Sequence, residues 1–294
     1  MGIKVRQSKN NFLGLPEEYS NFDNSKIVIL PIPLEISTSY GVGTRYAPSK
    51  IIEASHQLEF YDIEIGREIC FEGIATIEEF TTNTNDNKKA ANEISSYVQF
   101  FLKNKKIPII IGGEHSISIS TVMAFSQYFK EFTVLHMDAH CDLYDSYQNN
   151  PYGHASVLRR IYEIHKDVVS MGIRTATKEE VDFVKENKLM IFYASEIREK
   201  KLWNNIIDML CDNVFITFDF DFFDPSVIPA VGTPEPDGFL WNETLSFLKN
   251  LIKRKNVIGI DFVEFSPISG QFFSDYIAAK FIYKIIGYMY LYPK

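Results

Sequence analysis

The 294-residue sequence has little cysteine, fewer basic than acidic residues, and no long apolar run. Its three cysteines, Cys70, Cys141 and Cys211, lie far apart without a C-x-x-C pair, which argues against a disulfide framework or a thiolate zinc site. The net charge of −8 argues against nucleic acid and membranes as partners, because both attract basic surfaces. No run approaches the roughly 18 apolar residues that a membrane-spanning helix needs.

The amino-terminal segment, residues 1–12, lacks the apolar stretch of a secretory signal. Gly2 follows Met1, but Arg6 occupies the position at which a myristoylation signal needs Ser or Thr. Together with the cysteine usage, these features lead us to expect a cytoplasmic protein. The hydrophobic content of 46% predicts a globular protein with a sizeable core.

Apolar stretches alternate with amphipathic ones along the chain. The patterns predict strands at residues 27–33, 73–77, 107–111, 132–137, 168–173, 189–194, 213–225 and 256–267. They predict helices beginning at Pro48 and after Ser116, a helix capped by Asn242, and helices at residues 86–104, 178–188, 196–211 and 274–290. This alternation predicts an α/β fold in which helices cover both faces of a mainly parallel sheet. No linker or repeat divides the chain, so we expect a single domain over residues 1–294; a TIM barrel is the alternative architecture.

Acidic residues and a histidine follow the strand predicted at residues 132–137. Asp138, His140 and Asp142 stand at alternate positions, and such side chains lie on one side of an extended chain. Crowding two carboxylates at the end of an apolar strand is costly unless a cation compensates. Oxygen ligands with one imidazole suit a divalent ion such as Mn²⁺. The alternative is a solvated loop that happens to carry this pattern.

Two further strands end in residues that can bind metal. His115 follows the Gly112–Gly113 turn, and Asp219 and Asp221 stand at alternate positions after the strand that begins at residue 213. Ligands of open parallel sheets bind outside the carboxyl ends of the strands. Taken singly, His115 could be a core histidine and the two aspartates could cap a turn. Together the two histidines and four aspartates would serve two divalent ions about 3.5–4 Å apart.

Three motifs resemble the metal-binding signatures of the ureohydrolase family, which contains arginases, agmatinases and formimidoylglutamases. They are GGEHS (residues 112–116), DAHCD (138–142) and TFDFDFFDP (217–225), in the order found in the family. The segments GTRYAPSKI, MGIRTATKEE and GTPEPDGFLWNE resemble agmatinases in particular. The resemblance therefore covers nearly the whole chain, about residues 27–285. It implies a three-layer α/β/α, arginase-like fold with a central, mainly parallel sheet of about eight strands.

The resemblance also implies two Mn²⁺ ions per subunit and a homo-oligomer, commonly a trimer or hexamer. By analogy with the family, one ion would be held by His115, Asp138, Asp142 and Asp219. The other would be held by Asp138, His140, Asp219 and Asp221, so that Asp138 and Asp219 bridge the pair. Glu114 stands where the family often has Asp, and we expect little effect from this difference. Cys141 occupies the variable position within D-A-H-x-D, and we expect it to be a small apolar filler.

The activity implied by this resemblance is hydrolysis of a guanidino compound to urea and an amine, for example agmatine to urea and putrescine in polyamine biosynthesis. A hydroxide bridging the two metals would attack the guanidinium carbon. Asp142 would hydrogen-bond the hydroxide and pass on its proton, and His154 would relay a proton to the leaving amine. Glu264 would pair with the planar guanidinium. The alternatives for His154 and Glu264 are an ordinary loop histidine and a solvated glutamate at a strand end.

Three other functions are compatible with these motifs. A formimidoylglutamase would hydrolyse an imino group with the same fold. A pseudoenzyme would bind metal without turnover, although all six ligands and Glu264 are present. A deacetylase of related fold would hold a single zinc ion and would not need His115. Two metals per chain would favour the ureohydrolase, and one would favour the deacetylase.

The loop after the DAHCD motif bears on the choice of substrate. Arginases carry an S-G-N type segment here that contacts the substrate carboxylate, and this chain has Asn149 and Asn150 without that pattern. The loop also brings an acid and three aromatic rings, Asp145, Tyr144, Tyr147 and Tyr152. These groups suit a cationic amine tail. We therefore expect a small cationic guanidino substrate, agmatine or a longer polyamine-like derivative, in preference to arginine.

Overall fold

The computed structural model describes residues 5–294; Met1 and Gly2, considered above for acylation, lie outside the described residues. Over this range the strands are β1 (Ile27–Ile32), β2 (Tyr61–Asp62), β3 (Arg67–Glu68), β4 (Ile74–Thr76), β5 (Ile107–Gly112), β6 (Thr133–Met137), β7 (Val168–Ile173), β8 (Met190–Tyr193), β9 (Asn213–Asp219) and β10 (Asn256–Val263). The α-helices are α1 (Glu17–Ser20), α2 (Ala47–Ser55), α3 (Asn87–Lys103), α4 (Ile117–Tyr128), α5 (Val157–Ile164), α6 (Lys178–Asn187), α7 (Ala194–Lys200), α8 (Trp203–Met209), α9 (Trp241–Arg254) and α10 (Phe273–Leu291).

Eight strands form one sheet in the order β4-β1-β5-β10-β9-β6-β7-β8, and every pair of neighbours is parallel. The sheet is open, with β4 and β8 at its edges, so the α/β expectation is confirmed and the barrel alternative is wrong. The remaining strands, β2 and β3, form a small antiparallel hairpin.

Apolar side chains alternate between the two faces of the sheet, and each face has its own core. Leu135 and Met137 of β6 pack in one core with residues of α2, α9 and α10. Val134 of the same strand packs in the other core with residues of α3, α4 and α5. This two-sided burial is why the strands read as continuous apolar runs, and it gives the expected three-layer arrangement.

Two helix predictions need correction. The helix predicted at residues 196–211 is two helices, α7 and α8, because Lys201 adopts a left-handed conformation (φ 51°) that ends α7. Asn242 does not cap α9, which begins one residue earlier at Trp241. The carboxylate of Glu243 instead accepts a hydrogen bond from the N–H of Leu240, the residue before the helix. Among the described residues, no helix is long and apolar enough to cross a membrane.

Candidate metal centre

The predicted metal ligands and Glu264 lie at the carboxyl ends of four adjacent strands in the middle of the sheet, β5, β10, β9 and β6. His115 follows β5, Asp138 follows β6, Asp219 ends β9 and Glu264 follows β10. The turn between β5 and His115 requires glycine at position 113, because a Cβ there would lie 2.0 Å from the carbonyl oxygen of Leu34. The parallel arrangement therefore brings side chains from distant parts of the chain to one point.

Three aspartates share one arrangement, in which Oδ1 is bound by the backbone and Oδ2 faces the cluster. Oδ1 of Asp138 accepts a hydrogen bond from the N–H of His140 (2.6 Å), and Oδ1 of Asp219 accepts one from the N–H of Asp221 (2.8 Å). Oδ1 of Asp221 accepts from the N–H of Ala139 (3.0 Å). These backbone donors fix each carboxylate and leave its second oxygen free for another partner.

His115 lies at the centre of the first group of ligands. Its Nδ1 lies 3.1 Å from Oδ2 of Asp138, 3.3 Å from Oδ2 of Asp142 and 3.1 Å from Oδ2 of Asp219. Its Nε2 hydrogen-bonds the hydroxyl of Thr217 on β9 (3.0 Å), which fixes the orientation of the ring. Asp142 reaches the cluster from a left-handed backbone conformation (φ 51°), not from the extended chain that the alternation assumed.

His140 and Asp221 form the second group with Asp138. Nδ1 of His140 lies 2.8 Å from Oδ2 of Asp221 and 3.5 Å from Oδ1 of Asp138. Asp138 thus belongs to both groups of potential metal-ligand atoms. The structure brings together all six residues predicted to bind metal. Asp219 is buried and contacts His115, although it is in neither of these two groups.

The sequence interpretation missed His136. This fully buried residue of β6 stacks on the ring of His115, and its Nε2 lies 3.0 Å from Oδ2 of Asp138. Its Nδ1 contacts the hydroxyl of Ser170 on β7 (2.8 Å). His136 continues the same alternation as Asp138 and His140, two residues earlier, so this periodicity could have identified it.

The chemistry of the cluster fits divalent cations. Nδ1 of His115, Nε2 of His136 and Oδ2 of Asp138 are buried and make no hydrogen bond, although they lie close to one another. Burial and the charge of Asp138 raise the pKa of Asp142 well above its usual range. Burial and the charges of Asp221 and Asp138 do the same to the pKa of Asp219. A cation among these oxygens would satisfy the free atoms and offset the repulsion.

A cavity of about 260 Å³ opens over the cluster and is lined by His115, His140, Asp142, Asp219 and Asp221. Glu264 and His154 also line this cavity. Burial raises the pKa of Glu264 to about 8. The hydrogen bond that its Oε1 accepts from the N–H of His115 (2.6 Å) lowers the pKa, but by less than burial raises it. Burial lowers the pKa of His154. A larger groove of about 1200 Å³ lies beside α9 and α10 and contains none of the cluster residues.

The loop after the DAHCD motif differs in part from expectation. Tyr144 and Tyr147 line the cavity, whereas Asp145 and Tyr152 do not. The carboxylate of Asp145 instead pairs with Arg160 (2.8 Å), and the ring of Tyr152 lies under the ammonium group of Lys88. The prediction that these two residues face the substrate is therefore wrong.

The side chains of Asn150 and Cys141 both make contacts within the protein. The side chain of Asn150 is held within the protein by Asn87 and by the N–H of Tyr152. Cys141 packs in the core and also lines the cavity, and burial raises the pKa of its thiol. It is absent from both groups of potential metal-ligand atoms, consistent with its expected role as a filler.

Fold and site together define an open-sheet α/β protein with a cluster of metal-binding side chains over its central strands. The sequence model of the arginase family matches residues 25–287, and the chain belongs to this family. An N(1)-aminopropylagmatine ureohydrolase of Synechocystis sp. is 35% identical over 96% of both chains. An agmatinase of Pyrococcus horikoshii is 33% identical over 88% of this chain and 90% of its own.

Solved structures agree with this assignment. An agmatine ureohydrolase of Thermoplasma volcanium superimposes with a TM-score of 0.85 at 30% identity, covering 94% of each chain. A formimidoylglutamase of Bacillus subtilis has a TM-score of 0.86 at 23% identity, which shows a shared fold alone. The resemblance stated from sequence is confirmed, and the chain is a hydrolase of the ureohydrolase class.

Proposed function

We propose that this protein hydrolyses the guanidino group of agmatine, or of agmatine with an added aminopropyl group, to urea and the corresponding amine. The observation that carries the proposal is the half-buried carboxylate of Glu264 in the same cavity as the metal-binding cluster. Among the residues described as lining this cavity, none is Lys or Arg, so its charged groups favour a cationic substrate. The assignments of roles below are part of the same proposal.

The cluster residues would hold two Mn²⁺ ions, with Asp138 and Asp219 shared. Such ions supply Lewis acidity and a hydroxide at neutral pH. The free oxygen of each of Asp138, Asp219 and Asp221 faces the cluster, which supports carboxylate ligation. Hard carboxylate oxygens with two or three imidazoles suit Mn²⁺ better than a soft metal.

Glu264 would bind the guanidinium of the substrate. Its backbone adopts a left-handed conformation (φ 61°), and the N–H of His115 holds one carboxylate oxygen in place. A guanidinium cation would offset the cost of the buried charge that raises the pKa of Glu264. Asp142 would orient the attacking oxygen nucleophile, and His154 would pass a proton to the leaving amine.

The remainder of the cavity favours an amine tail over an amino acid. The rings of Tyr144 and Tyr147 lie 5.2 Å apart and present aromatic surface for a cationic chain. A substrate carboxylate would find no cationic side chain among the lining residues, and Asn150 is occupied by Asn87. Relatives named for agmatine and for aminopropylagmatine agree with this proposal. Imino-group hydrolysis, a single-zinc deacetylase and a pseudoenzyme have no comparable support.

We further propose that residues 1–294 act as one ureohydrolase domain, in the cytoplasm, as a homo-oligomer of three or six subunits. A panel assay tests the activity. Purified protein with added Mn²⁺ is given agmatine, N(1)-aminopropylagmatine, guanidinobutyrate, arginine and formimidoylglutamate, and urea or formamide release is measured. We expect urea from the first two and a kcat/KM for arginine far below theirs. Preference for arginine would overturn the substrate proposal, and formamide release would favour the imino hydrolase.

A further inference from the structure

The ring of His154 is held by two serine hydroxyls of one loop. The backbone N–H of His154 donates to Oγ of Ser37 (3.0 Å), and its ring Nδ1 lies 3.3 Å from the same oxygen. The other ring nitrogen, Nε2, lies 3.3 Å from Oγ of Ser39, which lines the cavity. The position of Ser37 therefore determines how the imidazole faces the cluster.

Ser37 is in turn held by Glu114, whose side chain is fully buried. Oε2 of Glu114 accepts hydrogen bonds from the N–H groups of Ile36 and Ser37, both at 2.6 Å. Oε1 accepts from the hydroxyl of Ser37 (2.7 Å), from the amide of Asn87 (2.9 Å) and from the hydroxyl of Ser116. Each of these five N–H and O–H groups donates a hydrogen bond, so the carboxylate of Glu114 acts only as an acceptor.

Glu114 also reaches His154 by a second route. Oδ1 of Asn87 accepts a hydrogen bond from the amide of Asn150 (2.8 Å). Oδ1 of Asn150 then accepts from the N–H of Tyr152 (3.1 Å), two residues before His154. One buried carboxylate thus connects the loop that carries Ser37 with the loop that carries the histidine.

This arrangement specifies which nitrogen of His154 carries the proton. A serine hydroxyl has one hydrogen, and Ser37 donates it to Glu114. Ser37 can then only accept from the imidazole, which requires a hydrogen on Nδ1. Nε2 then carries the lone pair, which faces Ser39 and the cavity and accepts from the hydroxyl of Ser39. A neutral imidazole in this tautomer can take up a proton at Nε2 and deliver it from there.

We propose that Glu114 is a positioning residue which, through Ser37 and through Asn87 and Asn150, fixes the orientation and tautomer of His154. The inference rests on the proposed function, because it assigns His154 to proton transfer at the leaving amine. It revises the expectation that Glu114 has little effect. Glu114 precedes His115, a candidate metal ligand, in the sequence, but its side chain helps to position His154.

A double-mutant cycle on Ser37 and His154 tests the coupling. We expect Ser37→Ala to lower kcat for agmatine on the order of ten-fold through misplacement of the ring, with KM and metal content unchanged. In a His154→Ala background the same change has no further effect, because the two residues act as one unit. Ser25→Ala, which removes a hydroxyl that bonds the carbonyl of Asn21 before β1, leaves kcat unchanged. A Ser37→Ala variant with full kcat, or equal losses in both backgrounds, would overturn the proposal.

Nuclear magnetic resonance gives a readout that does not depend on turnover. Two-bond ¹H–¹⁵N correlation spectra of the 294-residue, Mg²⁺-loaded chain distinguish Nδ1–H from Nε2–H in its six histidines, and His154→Gln assigns the signal. We expect Nδ1–H at His154, and a shift toward the other tautomer in Ser37→Ala and Glu114→Gln. Nε2–H in the unaltered protein, or an unchanged signal in Ser37→Ala, would refute the tautomer assignment. If no guanidino substrate is turned over, the spectra still decide this inference separately from the proposed function.

Discussion

Oδ2 of Asp219 lies 3.1 Å from Nδ1 of His115, although the two residues are more than a hundred positions apart in the sequence. They meet because β5 and β9 both flank β10 and end at the same edge of the sheet. Neither atom is exposed, and Nδ1 of His115 makes no hydrogen bond. A cation between them would satisfy both atoms, which makes Asp219 a sensitive position for testing the metal centre.

Replacing either aspartate that we propose to bridge the metals should disrupt metal binding and activity together. We expect Asp138→Ala and Asp219→Ala to remain folded but to bind at most one ion per chain, without detectable urea release. The reason is that Asp138 belongs to both groups of potential metal-ligand atoms and that Oδ2 of Asp219 lies 3.1 Å from Nδ1 of His115. Metal content by mass spectrometry and the melting curve are measured alongside activity. Asp182→Ala, an exposed acid paired with Lys178, is the control. Near-normal turnover with full metal content would refute the bridging role.

His136 should contribute to metal affinity even though it was not predicted as a ligand. His136→Asn removes the imidazole that lies against Asp138, and we expect metal affinity to fall roughly 10- to 100-fold, as for other groups that support metal ligands. Competition with a metal chelator measures the change. Ser170→Ala, which removes only the partner of the other ring nitrogen, should have a smaller effect. Unchanged affinity in His136→Asn would limit this residue to packing.

The fold could be predicted because strands buried on both faces leave an apolar signature that alternates with amphipathic helices. The convergence of the candidate ligands could be predicted because they follow such strands. Asp142 shows the limit of this reasoning, since its φ of 51° departs from the extended chain from which its direction was inferred. Asp145 shows another limit: its partner Arg160 lies on the following helix, and no local pattern indicates that their charges pair.

Acid should weaken the attachment of the β2–β3 hairpin to α10. Burial opposes the charge of Glu64, but hydrogen bonds from Lys249, Lys284 and Tyr288 lower its pKa from 4.5 to about 2. A depressed carboxyl pKa contributes stability above pH 4.5, and this contribution is lost as the pH falls toward 2. We therefore expect Glu64→Gln to lower the urea midpoint of unfolding at pH 7, and the difference from the unaltered protein to shrink by pH 3.

The control for this prediction is Glu196→Gln, which removes an exposed partner of Lys200 within α7. Exposed pairs of this kind contribute little, so its midpoint should match that of the unaltered protein across the same pH range. A pH-independent difference for Glu64→Gln would show that the side chain acts through packing, without a contribution from its charge.

The tail of the substrate should be recognised by tyrosines of the loop after the DAHCD motif. Tyr147 lines the cavity and packs edge-on against His154, whereas Tyr152 lies outside the cavity lining in the same loop. We expect Tyr147→Ala to raise KM roughly two- to thirty-fold, the range of a lost cation–π contact, and more for aminopropylagmatine than for agmatine. The longer substrate carries an additional cationic amine for the ring to contact. Tyr152→Ala is the matched control, and equal changes in KM for both variants would show that the loop acts through its overall packing.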